Sequence, residues 1–343
     1  MVKISRSVGV AIGMVVFWMA FCVALPGTAP AADIELGYAN FFPPTHVQAK
    51  LGAEWAAEVE KRTGGKVKIT YYPGGALLKG PQIYDGVLKG IADIGMSVFG
   101  YSRGVFPAME VIDLPNGYPN GKVATAVIND FYNEFKPKEL DKVKVMYLHA
   151  HGPGLLHTQK EVHSLEDLKG LKVRSYGFNA KMVSALGAVP VSLPQGGVYE
   201  ALQKGVADAT FSPAEVLKGW KQAEVIKYTI DCRAIGYTAG FFVVMNLDRW
   251  NALPKDVQDV FLQLNSEWIP KHGEAWDESD KAGIAFSKSL GNKVIELSKE
   301  ESDRWVKVVA PVKDSYIEAA KKRGLPGKEY VDFVTEAVKK HSM

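Results

Sequence analysis

The chain has 343 residues, 47% of them hydrophobic and 23% charged, with 41 Lys and Arg against 38 Asp and Glu. Basic and acidic residues are interspersed, which excludes a nucleic-acid surface or a polybasic membrane arm. Two cysteines exclude a disulfide-built scaffold.

At the N-terminus, Lys3 and Arg6 precede an uncharged apolar run from Val8 to Leu25, then Pro26, Gly27 and the small-residue segment Ala29-Pro30-Ala31-Ala32. This order reads as a secretory signal over residues 1–32, cleaved beside Ala31 or Ala32. An uncleaved anchor is the alternative, because the run approaches the ~18 residues that a membrane span needs. Lipidation at Cys22 is disfavoured by the bulky Phe21 before it. Removing Lys3 and Arg6 takes the formal net charge from +3 to +1 and leaves Cys232 as the only cysteine. The product is expected to be soluble, exported and held by its core alone, which the 311 residues from 33 to 343 can supply. Cys232 has no flanking catalytic pattern and is expected to be buried and inert.

In chain order, Ile34 to Tyr38 predicts a strand, followed by a helix from about His46 with Val47, Leu51, Trp55 and Val59 on one face, and a strand from Val67 to Tyr71. A helix with Ile83, Val87 and Ile91 on one face ends at Gly90, and the next strand ends at Ser97. Val143 to His149 is a strand leading into Gly152-Pro153-Gly154. Then the pattern recurs: strand Leu171 to Arg174, helix Asn179 to Leu186, strand Val189 to Leu193, a helix ending at Gly205, and a strand ending at Ser212. Gly240 to Asn246 reads as a buried strand crossing back. A helical pattern runs from Pro254 through Trp268 to about Ser289, long enough to brace both halves, with Pro270 expected to kink it.

The recurrence is visible residue by residue at an offset of 115. Tyr84, Lys89, Gly90, Ala92, Asp93 and Ser97 match Tyr199, Lys204, Gly205, Ala207, Asp208 and Ser212. Each copy is strand, helix, strand, helix, strand, which makes a mostly parallel sheet flanked by helices. The expected fold class is therefore α/β, with two lobes linked by crossing strands and the long helix. Lobe I is assigned to 33–151 plus 241–280, lobe II to 152–240 plus 281–310, and 311–343 to C-terminal helices packed on the lobes.

Open α/β sheets bind ligands at the C-terminal ends of their strands. Two such edges face one another here: Tyr38 to Phe42 and Ser97 to Tyr101 from the first lobe, Arg174 to Gly177 and Ser212 to Glu215 from the second. Enzymes also use this architecture, so it does not decide function. His149 and His151 would share a strand face, yet no third metal ligand of matched spacing accompanies them. No Gly-x-Ser-x-Gly elbow, phosphate-binding loop or His-Glu-x-x-His helix occurs. A secreted α/β hydrolase is thus an unmotivated alternative, and no cofactor is implied.

The order of segments resembles the solute-binding subunits of tripartite ATP-independent periplasmic (TRAP) transporters, the DctP family, across the whole chain after residue 32. The stretches that carry the resemblance are Thr63 to Lys68 with Tyr72-Pro73-Gly74-Gly75; Gly86 to Asp93; Ser164 to Arg174; Leu186 to Val191; Tyr199 to Asp208; and Val244-Met245-Asn246 with Trp250. The resemblance implies a periplasmic, non-enzymatic, two-lobed binding protein, taken as a monomer, that captures an organic acid and docks on ion-gradient-driven membrane subunits. Binding proteins of ATP-driven uptake or sensor systems are the neighbouring alternative.

Arg174 matches the arginine with which the family grips a ligand carboxylate, a role suited to a planar fork of donors. The helix near Asn179 is expected to add a favourable field for the anion. Where many relatives carry a second arginine, this chain reads His151-Gly152-Pro153-Gly154-Leu155-Leu156-His157. A monocarboxylate is therefore favoured, with His149, His151 or His157 as possible substitutes for the missing cation. Strand-end position adds Ser97, Ser212, Gln195, Tyr38, Asn40, Phe42, Tyr101, Tyr176 and Tyr199 as expected contacts, with Phe41 and Phe178 nearby; Trp220 and Phe241 are assigned to the core.

Overall fold

The computed structural model describes residues 33–102 and 104–343, so the signal reading lies outside the described residues. The chain opens with β1 (Ile34–Asn40), β2 (Val67–Tyr72), β3 (Ile94–Val98) and β4 (Val143–Ala150). There follow β5 (Leu155–Thr158), β6 (Lys172–Ser175), β7 (Val189–Ser192), β8 (Ala209–Ser212) and β9 (Tyr228–Asp231), then β10 (Gly240–Asn246) and β11 (Lys293–Glu296).

Two sheets result, of order β2-β1-β3-β10-β4 and β7-β6-β8-β5-β9-β11. In the first, β1 pairs in parallel with β2 and β3, and β10 runs antiparallel between β3 and β4. In the second, β6 pairs in parallel with β7 and β8, and β5 runs antiparallel between β8 and β9. Each lobe thus receives its antiparallel strand from the segment that has just left the other. β5 follows β4 through Gly152-Pro153-Gly154, and β10 follows β9. The 115-residue offset survives in the registers, since Tyr38 pairs with Ile94 as Val173 pairs with Ala209. One residue on, Ala39 occupies in the first lobe the place that Arg174 holds in the second.

The helix Val47–Arg62 buries Gln48, Ala49, Gly52, Trp55, Ala56 and Val59. Its inward face is turned by one residue from the expected one, leaving Val47 and Leu51 half-buried, because Gly52 lets the Tyr71 ring close on the helix. Trp55, Trp268, Trp276 and Trp305 are all buried, and truncating one such side chain costs about 3–5 kcal/mol. The helix Lys255–Ser289 runs unbroken through Pro270. It packs on Val47–Arg62, Gly121–Phe135 and β4 in the first lobe and on Val216–Gly219 and β11 in the second. Gly283 makes the second contact possible, since any Cβ there would run into the Ala214 carbonyl.

The C-terminal helices tie the lobes again. Lys299–Val309 reaches the second lobe, where Glu301 Oε1 accepts from the Leu165 amide at 2.7 Å. Gly327–His341 packs on Gly121–Phe135, with Tyr330 edge-on to Phe131 and Phe135. Between them Tyr316 meets Phe178 of the second lobe and donates to the Ala108 carbonyl of the first at 3.1 Å.

Candidate functional site

A pocket lies between the facing sheet edges, with about 340 Å³ of space between its walls once the part open to solvent is included. Phe41, Phe42, Val98 and Tyr101 line it from the first lobe, and Arg174, Tyr176, Gln195, Ser212, Glu215 and Trp220 from the second. His151, Tyr237 and Phe241, which stand where the chain changes lobe, complete the wall. The lining is mostly aromatic with a few convergent polar groups, the usual make-up of a small-molecule site.

Arg174 is the chemical centre. It is only 1% exposed, because β6 lies between β7 and β8 and carries the side chain to the cavity edge. Its Nε donates to the Leu193 carbonyl at 2.9 Å and its Nη1 to Ser212 Oγ at 3.1 Å, which itself lies 2.9 Å from Thr210 Oγ1. The guanidinium carbon sits 4.8 Å from the Tyr176 ring centroid. These contacts fix the fork, and Nη2 has no partner among the described residues. Gln195 Nε2 and Trp220 Nε1, also on the cavity wall, are buried donors without partners too. A buried cation and two orphaned donors cost free energy until an anionic acceptor joins them.

The tyrosine hydroxyls and the His151 ring of the wall are held neutral. Burial raises the Tyr101 hydroxyl's pKa, with Arg174 pulling it back down; burial raises that of Tyr176 too, with Tyr101 adding and Arg174 opposing. Burial pushes His151 down to about 4, partly offset by the Gly152 carbonyl 2.5 Å from its Nδ1. That carbonyl requires the proton on Nδ1 and leaves Nε2 as an acceptor.

Six of the expected contacts meet here: Phe42, Tyr101, Arg174, Tyr176, Gln195 and Ser212. Four others stand elsewhere. Tyr38 is packed edge-on against Trp55 and Tyr71 in the first lobe's core. Asn40 accepts from the Phe42 amide and donates to Tyr71, shaping the loop rather than facing the cavity. Ser97 donates to the Gly80 carbonyl at 2.7 Å, because Ala39 stands where Arg174 would be its partner. Tyr199 lies on the outer face, bonded to Glu224. Neither Phe178 nor Asn179 lines the cavity, and the helix from Asn179 has seven residues.

Trp220 and Phe241, assigned to the core from sequence, line the cavity instead. Phe241 opens β10, and a strand entering from the other lobe must begin at the cleft floor. Of the other histidines, His149 stacks on His272 at 4.4 Å and Phe241 at 4.9 Å, one layer behind the wall. His157 is spent on Thr229 and the Pro213 carbonyl.

The lobes touch around the cavity rim. Tyr101 Oη accepts from the Gln195 amide at 2.9 Å, His46 Nε2 lies 2.7 Å from Glu215 Oε2, and Trp220 packs near Phe41 and Phe42. Gly100 rests directly on Tyr176, whose Cδ2 would lie 2.9 Å from any added Cβ. Gly100→Val is therefore expected to hold the lobes apart and raise the apparent dissociation constant of a captured acid about tenfold, through a smaller closed population. Small-angle scattering should show less ligand-induced compaction in the variant, and unchanged affinity would count against closure at this contact.

Two α/β lobes closed on a cavity with one buried, half-satisfied guanidinium define a solute-binding protein. The model of bacterial extracellular solute-binding proteins, family 7 (DctP), matches residues 38–319, and the chain belongs to that family, the solute-binding subunits of TRAP transporters, which are not enzymes. A monocarboxylate 2-oxoacid-binding periplasmic protein of Nostoc is 31% identical over 73% of this chain and 70% of its own length. A TRAP solute-binding protein of Desulfovibrio salexigens, in an open complex with the C-terminus of a symmetry mate in its ligand site, is 36% identical. It covers 90% of this chain and 97% of that one at a TM-score of 0.79. A Rhodoferax ferrireducens TRAP protein with copurified benzoate is 29% identical, covering 90% and 98%, at a TM-score of 0.85. Among the described residues no helix is long and apolar enough to cross a membrane.

Proposed function

We propose that this chain captures a small monocarboxylate with an apolar body and delivers it to the membrane subunits of an ion-gradient-driven TRAP transporter. The observation that carries the reading is Arg174 Nη2, a buried guanidinium donor without a partner, facing an aromatic cavity. Among the described lining residues Arg174 is the one permanent cation, and His151 is held neutral, so a second carboxylate would have no counter-ion and would meet Glu215. The tight aromatic wall of Phe41, Phe42, Tyr176, Trp220 and Phe241 suits a small acid with an apolar body. The benzoate in the Rhodoferax relative, and a peptide C-terminus in the Desulfovibrio one, supply acids of the same chemistry.

The remainder of the reading is a monomer released into the periplasm by cleavage of residues 1–32, with lobe boundaries near 151/152, 240/241 and 280/281. A thermal-shift screen of organic acids tests it. Monocarboxylates with an aromatic or aliphatic body should raise Tm in a concentration-dependent way, by mass action on the folded, closed form. A screen in which dicarboxylates stabilise and monocarboxylates do not would reverse the assignment.

A further inference from the structure

We propose that Glu215 forms a second pole of the cavity and selects acids that carry a hydrogen-bond donor, a hydroxyl or an ammonium, on the end away from the carboxylate. The inference rests on the carboxylate reading of Arg174 given above.

Glu215 is 3% exposed and lines the cavity together with Arg174. Both charges act on the same two tyrosines: Arg174 lowers and Glu215 raises the pKa of the Tyr101 and of the Tyr176 hydroxyl, each of which burial raises most. The cavity is therefore dipolar. Among the described residues the only hydrogen bond to the Glu215 carboxylate comes from His46, whose Nε2 lies 2.7 Å from Oε2. His46 Nδ1 accepts from the Gln48 amide at 3.2 Å, capping the helix Val47–Arg62, so the proton of the neutral ring sits on Nε2 and is donated to Glu215. One neutral donor leaves a buried carboxylate with most of its acceptor capacity unused.

The position of the carboxylate is fixed from outside the cavity. The Glu215 amide donates to Asp280 Oδ1 at 2.8 Å, anchoring the turn to the long helix. Gly219 lets the His46–Glu215 pair lie flat on the backbone, since a Cβ there would stand 2.7 Å from Glu215 Oε2 and 2.6 Å from His46 Cδ2. Glu215 borders the outer groove of His46, Lys50 and Lys218 as well as the cavity, and its pairing with His46 restrains the carboxylate. A ligand with an apolar far end would bury this carboxylate against hydrocarbon, whereas a donor there would satisfy it. A site built to hydrogen-bond a substrate group rejects analogues lacking it far more strongly than an apolar pocket rejects a missing methylene.

The test uses matched probes on two frameworks: benzoate, 3-hydroxybenzoate and 3-(aminomethyl)benzoate, and butyrate, 4-hydroxybutyrate and 4-aminobutyrate, titrated calorimetrically into the mature protein. On at least one framework a donor-bearing acid should bind about tenfold or more tighter than its parent. Glu215→Gln should shrink that ratio by about tenfold, because the neutral amide is a weaker and less discriminating acceptor. If Glu215 served only to latch the lobes through His46, Glu215→Gln and His46→Gln would shift parent and donor-bearing acids by the same factor. A ratio untouched in Glu215→Gln, or parents that bind as tightly as their donor-bearing forms, overturns the proposal and leaves the carboxylate reading standing. Failure of every acid to bind overturns both. The hydroxyl and ammonium arms tell which donor the site prefers.

Discussion

Arg174→Ala is expected to weaken capture of a monocarboxylate by about 2–5 kcal/mol, roughly 30- to 5,000-fold, while the ligand-free protein stays folded. The size follows from what the truncation leaves behind. In the complex the ligand carboxylate is taken out of water, and without the guanidinium its remaining donors are neutral groups such as Ser212, Gln195 and Trp220. A desolvated carboxylate with neutral partners alone is costly. In the free protein the sign is opposite: Arg174 is buried, uses Nε and Nη1 on a carbonyl and a hydroxyl, and has no carboxylate partner among the described residues. Removing it relieves a buried charge, so the melting temperature without ligand should hold or rise. That combination, lost affinity with retained stability, separates a binding residue from a structural one. Arg174→Lys should recover only part of the loss, since an ammonium cannot reproduce the fork set by Leu193 and Ser212. Affinity within about threefold of the parent in Arg174→Ala would remove the guanidinium from the mechanism.

Why Arg174 and Ser212 could be found in the sequence, and Ser97 could be misplaced, has one physical explanation. Matching residues 115 apart identify strands of equal rank, and the observed registers keep that equivalence. Equivalence of backbone does not carry equivalence of chemistry. Ser212 meets the cavity because Arg174 on the neighbouring strand gives its hydroxyl a partner there, whereas Ser97 sees Ala39 and turns to the Gly80 carbonyl. The same limit explains Tyr38, whose ring is in the core, and Tyr199, whose repeat match Tyr84 is packed against Phe106 while Tyr199 itself stays outside.

Two of the residues not placed at the site belong to the chain crossings. Tyr237 and Phe241 lie within a few residues of a change of lobe, where local periodicity says nothing about direction. A usable signal exists in the sequence: β4 and β10 read as crossing strands, and the ends of such strands must form the floor between the lobes. Trp220 is different, because only the packing of its segment on Phe41 and Phe42 of the other lobe brings it to the cavity. The long helix was legible from its length and pattern, while its closeness to the Ala214 backbone depends on a single glycine, Gly283.

Acid should unfold this protein well before its carboxylates would require. Four of the buried histidines are held neutral by burial, which lowers His149 well below its ordinary value, His151 and His157 to about 4, and His272 to about 3. A group whose pKa is depressed on folding binds its proton more readily in the unfolded chain. Its stabilisation is therefore whole above the unfolded value near 6.5 and is lost as pH falls from there to the folded value. Each such histidine removes about 1.4 kcal/mol per pH unit within that window. Asp113 works the other way. Burial raises it to about 8 against one amide hydrogen bond from Gly240, so it favours the folded state increasingly as pH falls from 8 toward 4. Asp280, raised by burial well above its ordinary value, works the same way, and Glu110, Glu139 and Asp277, also raised by burial, add to that opposition. Four histidines against two strongly raised aspartates, Asp113 and Asp280, leave a net loss of a few kcal/mol between pH 6.5 and 4.5, a fall in Tm of about 5 °C or more for a chain of this size. The local chemistry gives the protons nowhere to go. His149 Nδ1 accepts from Trp276 Nε1 at 3.1 Å, which places its hydrogen on the partnerless Nε2, and a charge there would sit 4.4 Å from the stacked ring of His272. His157 Nε2 already donates to the Pro213 carbonyl, and a second proton on Nδ1 would displace the Thr229 hydroxyl as donor. Calorimetric melting at constant ionic strength from pH 7.5 to 4.5 measures the slope, and His157→Gln should flatten it whatever its stability at pH 7. A melting temperature level across that interval would mean that these rings reach solvent before the fold opens, contrary to their burial.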